Sequence, residues 1–102
     1  MLSAKYSPDA QTDSAIGTVQ FLRGEGDLTS GYWTVSPEDA PEPFSEVLGC
    51  TETLILISGR LGVSDDAGNE ATLLPGDSVS LEKGTTVTWT VLEPLVKFWV
   101  HH

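Results

Sequence analysis

Nucleophilic catalysis is the first chemistry to consider, because the 102-residue chain contains one cysteine and two histidines. Cys50 follows Gly49 and would act as a nucleophile only beside a general base. The two histidines, His101 and His102, end the chain and are either native or the remains of a purification tag. A Cys-His or Ser-His-Asp catalytic site is therefore not expected.

Phosphate binding by a glycine-rich loop is also not indicated. The run Gly24-Glu25-Gly26 is followed by neither a helical pattern nor a lysine, and a phosphate-binding loop needs both. We interpret this run as a turn.

Aromatic side chains are the other set with chemical potential. They could form a wall for a flat or cationic ligand, or they could simply fill a hydrophobic core. Trp89 is the best candidate for such a wall, because it shares a strand face with Val87 in the motif described below. The full set comprises Trp33, Trp89 and Trp99, with Tyr32 and Phe98 beside them.

Short strands must position these residues. Runs rich in Val, Ile, Thr and aromatics are separated by Gly, Pro or Asp every eight to twelve residues or so, which is typical of an all-β sandwich or barrel. Within residues 85–91 the threonines alternate with Val87, Trp89 and Val91, so one face should meet water and the other a core. The predicted strands are Thr18 to Leu22, Gly31 to Val35, Glu46 to Gly49, Thr53 to Ser58, Arg60 to Asp65, Glu70 to Leu74, Ser78 to Leu81, Thr85 to Leu92 and Leu95 to His101.

Two further details of the strand pattern are specific. Residues 53–57 are apolar at almost every position, which predicts a strand covered on both faces. Ser58-Gly59-Arg60 is predicted to be a tight reversal between two strands. Residues 1–15 are polar, and residues 1–17 are predicted to form an arm, in which Ser7-Pro8-Asp9 can start at most one helical turn.

Charge and composition exclude several classes of partner. Asp and Glu number 15 against five Lys and Arg, which gives a net charge of −10. Nucleic acid and anionic membrane surfaces select the opposite sign, so neither is an expected partner. The N-terminal segment lacks the apolar core of a signal peptide, and the longest aliphatic run, residues 54–57, is too short to span a bilayer. Together with the single cysteine, these features favour a soluble protein of the reducing cytoplasm.

Three spaced elements resemble the motifs of the cupins. They are ETLILISG from Glu52 to Gly59, PGDSVSLEKG from Pro75 to Gly84, and Trp89 five residues later. With residues 31–33 before them and Lys97 and Trp99 after them, they are similar to the small cupins of the (S)-ureidoglycine aminohydrolase and ethanolamine-utilisation type. The resemblance implies an all-β, single-domain double-stranded β-helix, an RmlC-like jelly-roll barrel over residues 18–102. It also implies a homodimer, in which the segment up to Ser30 packs on or swaps into a neighbour.

The metal ligands of metal-bearing cupins are mostly replaced here. The glutamate position is kept as Glu52, but the last histidine position falls on Val87, which has no lone pair. A set of Glu52, Glu46 and Cys50 would lack imidazole and match no single metal well. We therefore expect no metal and no other cofactor. The first two histidine positions fall on Glu46 and Leu48 in one spacing, or on Ser45 and Val47 in the other.

The resemblance places Glu52 inside the barrel, where its carboxylate would need a cation. Lys97 is the candidate, because it occupies a Lys-x-aromatic position of the last strand and the chain has only five cationic side chains. A paired Glu52 and Lys97 could hold a zwitterionic or carboxylate ligand, or act as acid and base. The alternatives are a buried structural ion pair, or a Lys97 that extends to water.

Three functions follow from these observations. The first is a metal-independent cupin that binds a small polar metabolite in the barrel mouth, with Glu52 and Lys97 as polar contacts and Trp33, Trp89 and Trp99 as walls. The second is an aminohydrolase-like or isomerase-like enzyme of small-molecule catabolism. The third is a regulatory or scaffold protein whose barrel is filled by its own side chains. Whether the chain is an enzyme stays open at this point.

Overall fold

A computed structural model of the chain describes residues 4–25 and 28–102. Residues 1–3 of the predicted arm and Gly26 of the predicted turn lie outside the described residues. A short 3-10 helix at Pro8–Ala10 precedes eight antiparallel strands. These are β1 Thr12–Asp13, β2 Thr18–Glu25, β3 Leu28–Val35, β4 Phe44–Val47, β5 Glu52–Asp65, β6 Glu70–Leu73, β7 Ser78–Leu81 and β8 Thr86–His101.

The strands form one sheet with the order β1-β2-β3-β8-β5-β6, while β4 also pairs with β8 and β7 with β5. The long strands β5 and β8 therefore contact every other strand except β1 and β2. This arrangement confirms the all-β jelly-roll prediction. Among the described residues, no helix is long and apolar enough to cross a membrane.

The core lies on one face of the curved sheet. In β8 the side chains of Val87, Trp89 and Val91 are buried while the intervening threonines are half-exposed, so the predicted alternation is confirmed. Burying these large apolar side chains supplies most of the driving force for folding. The other buried apolar residues are Val35, Ala40, Leu48, Leu54, Leu56, Leu61, Val63, Leu73, Leu95 and Trp99.

The predicted reversal at Ser58-Gly59-Arg60 is wrong. The chain continues through these residues as the single strand β5, and its register to β8 shifts there instead. Gly59 has a φ of +84°, and a Cβ at this position would overlap the carbonyl oxygen of Pro94. Glycine therefore allows a bulge that bends two paired strands together. The two predicted strands flanking Pro94 likewise form one strand, β8.

Two further strand predictions need correction. Residues 53–57 are not covered on both faces, because Thr53 is exposed and Ile57 is 49% exposed. Burial alternates along this part of β5, so that Glu52, Leu54 and Leu56 point inward while Thr53 and Ile57 point outward. The strand predicted at 46–49 lies two residues earlier, at Phe44–Val47, where Glu46 pairs with Val87 of β8.

Residues 4–17 pack against the barrel of the same chain. The Ser7 side chain caps the 3-10 turn, as the Ser-Pro-Asp pattern predicted, and β1 pairs with β2. The buried amide of Gln20 holds this segment: the Ser7 N–H donates to Gln20 Oε1 at 2.9 Å, and Gln20 Nε2 donates to the Lys5 carbonyl at 2.8 Å. The division into an arm of 1–17 and a domain of 18–102 stays a prediction.

Candidate functional site

The register of β8 with its neighbours places three polar groups in one cavity. Lys97, Trp99 and His101 alternate along β8 and point to the same side. His101 lies opposite Glu52 of β5 and opposite Thr29 of β3, so one row of residues crosses three strands. The sheet itself therefore brings an acid, an imidazole and an amine together.

Glu52 and Lys97 form a buried ion pair. Lys97 Nζ donates a hydrogen bond to Glu52 Oε2 at 2.8 Å, with Glu52 only 3% and Lys97 only 6% exposed. The pairing that sequence analysis anticipated is thus present in the structure. Removing either partner would leave a charge in a site with little water, which is strongly unfavourable.

His101 contacts the other oxygen of the same carboxylate. Its Nε2 atom lies 2.9 Å from Glu52 Oε1, and its Nδ1 atom lies 3.1 Å from Thr29 Oγ1. Since an ionised carboxylate only accepts hydrogen bonds, Nε2 must carry the hydrogen. When the ring is neutral, Nδ1 is then the acceptor for the Thr29 hydroxyl.

Two opposing effects act on the Glu52 carboxyl. Burial alone would raise its pKa, because desolvation disfavours the charged form. The Lys97 charge, the hydrogen bonds from Lys97 and His101, and the His101 ring outweigh that effect and hold the pKa of Glu52 below its usual value of 4.5. Glu52 is therefore an anion at neutral pH despite its burial.

Tryptophan rings complete the surroundings of the Lys97 ammonium. Its Nζ atom lies 4.2 Å from the centre of the Trp89 ring and 5.0 Å from that of Trp33. Attraction between an ammonium and an aromatic face reaches about 2 kcal/mol when the cation is desolvated. The cation is thus held by a carboxylate and by two rings at once.

A cavity of about 350 Å³ opens beside these groups. Three tryptophans and Phe44 contribute rings to its walls. The segment between β1 and β2 closes one side, where Trp33 Nε1 donates to the Ile16 carbonyl at 2.8 Å. The residues that line it are Ser14, Ala15, Ile16, Val19, Trp33, Phe44, Ser45, Glu46, Glu52, Trp89, Lys97, Trp99 and His101. All five residues that sequence analysis selected as ligand contacts lie in this set.

Glu46 is a second carboxylate of the cavity, and it is exposed at the mouth. Trp89 Nε1 donates a hydrogen bond to Glu46 Oε1 at 3.1 Å. The same Trp89 ring contacts the Lys97 ammonium, so it links Glu46 to Lys97. The sequence indicated Glu46 only as a replaced metal ligand and not as a ligand contact. The pairing of Glu46 with Val87 across β4 and β8, which no local sequence pattern shows, puts its side chain on the cavity side.

His101 is the residue that sequence analysis most clearly missed. Its position at the chain end, beside a second histidine, suggested that it had no role. The available signal was the spacing of two between Lys97, Trp99 and His101, which puts all three on one strand face. The lining residues Ser14, Ala15 and Ile16 had no such signal, because a short polar segment does not indicate what it will pack against.

The donor set does not fit the metal of metal-bearing cupins. Both Glu52 oxygens are already bonded, one to an ammonium that would repel a divalent cation. Val87, at the last ligand position, is fully buried and has no donor atom. Cys50 does not line the cavity, and no three His, Cys, Asp or Glu side chains in the described part of the chain form a metal-holding group.

An antiparallel jelly-roll barrel with polar groups gathered in a cavity is the architecture of the cupins. Within that class, the sequence profile of the EutQ-like cupin domain matches residues 27–99, which is more than half of the chain. The chain therefore belongs to the EutQ-like cupin domain family. No curated protein is significantly similar to it in sequence.

Several solved structures share this fold. A protein of unknown function from Rhizobium leguminosarum is 25% identical, with a TM-score of 0.77 over 100% of this chain and 98% of its own. The Clostridium difficile EutQ protein is 18% identical, with a TM-score of 0.72 over 97% of this chain and 80% of its own. Hydroxypropylphosphonic acid epoxidase from S. wedmorenis, in complex with fosfomycin, is 13% identical, with a TM-score of 0.77 over 96% of this chain and 58% of its own. The last two likenesses concern the fold alone.

Proposed function

We propose that this chain is a metal-independent cupin that binds a small polar metabolite in its aromatic cavity. The observation that carries the proposal is the Lys97–Glu52–His101 array, with contacts of 2.8 and 2.9 Å, in the wall of a cavity of about 350 Å³. Ligand sites in proteins are typically apolar cavities of this size with a few convergent polar groups.

Each part of the cavity has a separate task in this proposal. Trp33, Trp89 and Trp99 supply apolar area that excludes water, so that polar contacts to the ligand gain strength. Lys97 donates a hydrogen bond to an acceptor on the ligand. Because Glu52 already holds the Lys97 ammonium in place, little side-chain entropy is lost when the ligand binds. The open cavity also argues against a barrel filled by its own side chains.

A second candidate is an acid–base enzyme, of the aminohydrolase-like or isomerase-like kind. One observation favours it: a single carboxylate touches two groups that carry protons, the Lys97 ammonium and the His101 imidazole. The His101 ring is about one third exposed, so it can exchange protons with solvent. Binding is the simpler function, because it needs no turnover.

Thermal-shift screening of chelator-treated protein tests the binding function. The panel contains amino acids, ureides and small carboxylates. We expect at least one compound to raise the melting temperature of the wild-type protein and to lose that effect in Lys97→Met. Lys83→Met removes an exposed ammonium of the same kind and should keep the full shift. If the shift persists in Lys97→Met, or no compound produces one, the proposal is wrong.

Metal content tests the other half of the proposal. Protein purified without a histidine tag should contain less than a stoichiometric amount of any transition metal, by elemental analysis. One metal ion per chain, lost together with ligand binding on chelation, would contradict metal independence and favour a metalloenzyme.

A further inference from the structure

The lining of the cavity holds two carboxylates, Glu46 and Glu52, and one ammonium, Lys97. Lys97 neutralises Glu52, and His101 donates to the same carboxylate. Glu46 forms no ion pair with any of the described residues. Of the two carboxylates, the one without an ion-pair partner among the described residues is therefore exposed at the mouth.

One carboxylate oxygen of Glu46 is available to a ligand in the cavity. Its Oε1 atom accepts from Trp89 Nε1 at 3.1 Å, and its other oxygen has no hydrogen-bond partner among the described residues. The indole contact restrains a side chain that would otherwise rotate in solvent. A carboxylate oriented in this way can accept a charge-assisted hydrogen bond at little further cost in entropy.

The aromatic walls of the cavity also favour a positively charged ligand. The faces of Trp33 and Trp89 already attract an ammonium, that of Lys97. Aromatic rings present negative potential on their faces, and Phe44 and Trp99 add two more rings to the lining. An anionic ligand would meet these faces and the Glu46 carboxylate, while the Lys97 ammonium is already paired with Glu52.

We propose that the ligand of this cavity carries a protonated amine and that Glu46 is the residue that selects it. The inference rests on the proposed binding function and adds the chemical class of ligand. In this arrangement the amine lies at the mouth and donates to the free oxygen of Glu46. The polar group at the other end of the ligand accepts from Lys97.

Three small probes of similar size can show whether the charge of a ligand decides how tightly it binds. Benzylammonium, benzyl alcohol and benzoate share a ring that fits an aromatic cavity and differ mainly in the charge of the polar group. Their affinities for the full chain can be measured by NMR titration at neutral pH and moderate salt. We expect benzylammonium to bind roughly tenfold more tightly than either of the others, as one charge-assisted hydrogen bond allows.

The variant Glu46→Gln should remove that preference. Gln retains an oxygen that can accept from Trp89 Nε1, so the fold and the indole contact are preserved while the charge is lost. Glu93→Gln changes the net charge by the same amount at an exposed site outside the cavity, and it should keep the preference.

The outcomes separate this inference from the proposed function. Equal binding of the three probes, a preference for benzoate, or an unchanged preference in Glu46→Gln overturns the role of Glu46 but leaves a binding cavity. No binding of benzylammonium also overturns the inference, whereas the proposed function is decided by the screening panel and Lys97→Met. Loss of the preference in Glu93→Gln would show that overall charge, rather than Glu46, selects the probe.

Discussion

Glu52 lies directly opposite His101 in the β5–β8 ladder, yet it also bonds to Lys97, whose own partner across that ladder is Leu56. One carboxylate thus ties together two inward positions of β8. A slip of one residue between these strands would turn the polar groups to the outer face and leave Glu52 without partners. The same contacts that form the candidate site therefore also specify the register of the two longest strands.

Lys97→Met should destabilise the protein by about 3 to 5 kcal/mol, because it leaves the Glu52 carboxylate buried without its cation. Urea unfolding at neutral pH measures the change. The double variant Glu52→Gln, Lys97→Met removes both charges and should recover much of the lost stability. A double variant no more stable than Lys97→Met would show that the ion pair is not what Lys97 contributes.

Stability should depend on pH through Glu52. Its pKa in the folded protein lies below the usual 4.5, so its ionised form stabilises the fold above that pH, and the contribution is lost as the pH falls through the folded value. The free energy of unfolding should therefore fall more steeply below pH 4.5 in the wild-type protein than in Glu52→Gln. Glu93→Gln, at an exposed position, should retain the wild-type slope. Identical slopes in all three proteins would contradict the depressed pKa.

Gly31→Ala should cost about 1 to 3 kcal/mol and disturb the cavity wall. A Cβ at Gly31 would overlap the Gln20 carbonyl oxygen and lie 2.8 Å from Trp99 Cη2, so that the Trp99 ring must move. Gly24→Ala is the control, because a Cβ there meets no described atom within 4 Å. Thermal unfolding and tryptophan fluorescence measure both effects. A neutral Gly31→Ala would show that β2 and Trp99 can shift without loss.

Two variants of Trp89 should distinguish the stability contributed by packing of its ring from that contributed by its indole hydrogen bond. Trp89→Ala removes a fully buried ring and should destabilise the protein by about 3 to 5 kcal/mol. Trp89→Phe keeps a ring face for Lys97 but loses the N–H that donates to Glu46, and it should cost less, with about 1 kcal/mol from the hydrogen bond. Chemical denaturation compares the two variants. Equal losses would mean that the indole N–H matters more than the packing of the ring.

Features of the fold that depend on neighbouring residues were predictable from the sequence, whereas features that depend on distant contacts were not. The threonine and valine alternation in β8 predicted its buried face, because a strand's two faces follow directly from a period of two. Gly59 was misinterpreted, since a glycine with positive φ serves a bulge as well as a hairpin turn. Only the contact with Pro94, far along the chain, distinguishes the two.

The candidate site was predictable in part for the same reason. Glu52 and Lys97 could be paired because the resemblance placed both on inward positions and few cations were available. Glu46 depended on which residues lie opposite each other across strands, and no local pattern encodes that register. His101 had a local signal, its spacing of two from Trp99, but its place beside a second histidine at the chain end outweighed it. The homodimer and the cytoplasmic location stay predictions, and sedimentation equilibrium of the full chain would test the first.

The indole N–H groups of the three tryptophans can report directly whether the cavity binds a ligand without a metal. All three rings line the cavity, and each N–H has a different acceptor. Their resonances can be followed by NMR while chelator-treated protein is titrated with the amino acids, ureides and carboxylates of the panel. We expect at least one compound to shift the three resonances together and saturably, and Lys97→Met to abolish the shift. If no compound moves them, or if they move only after a divalent metal is added, then the cavity is not a metal-independent binding site.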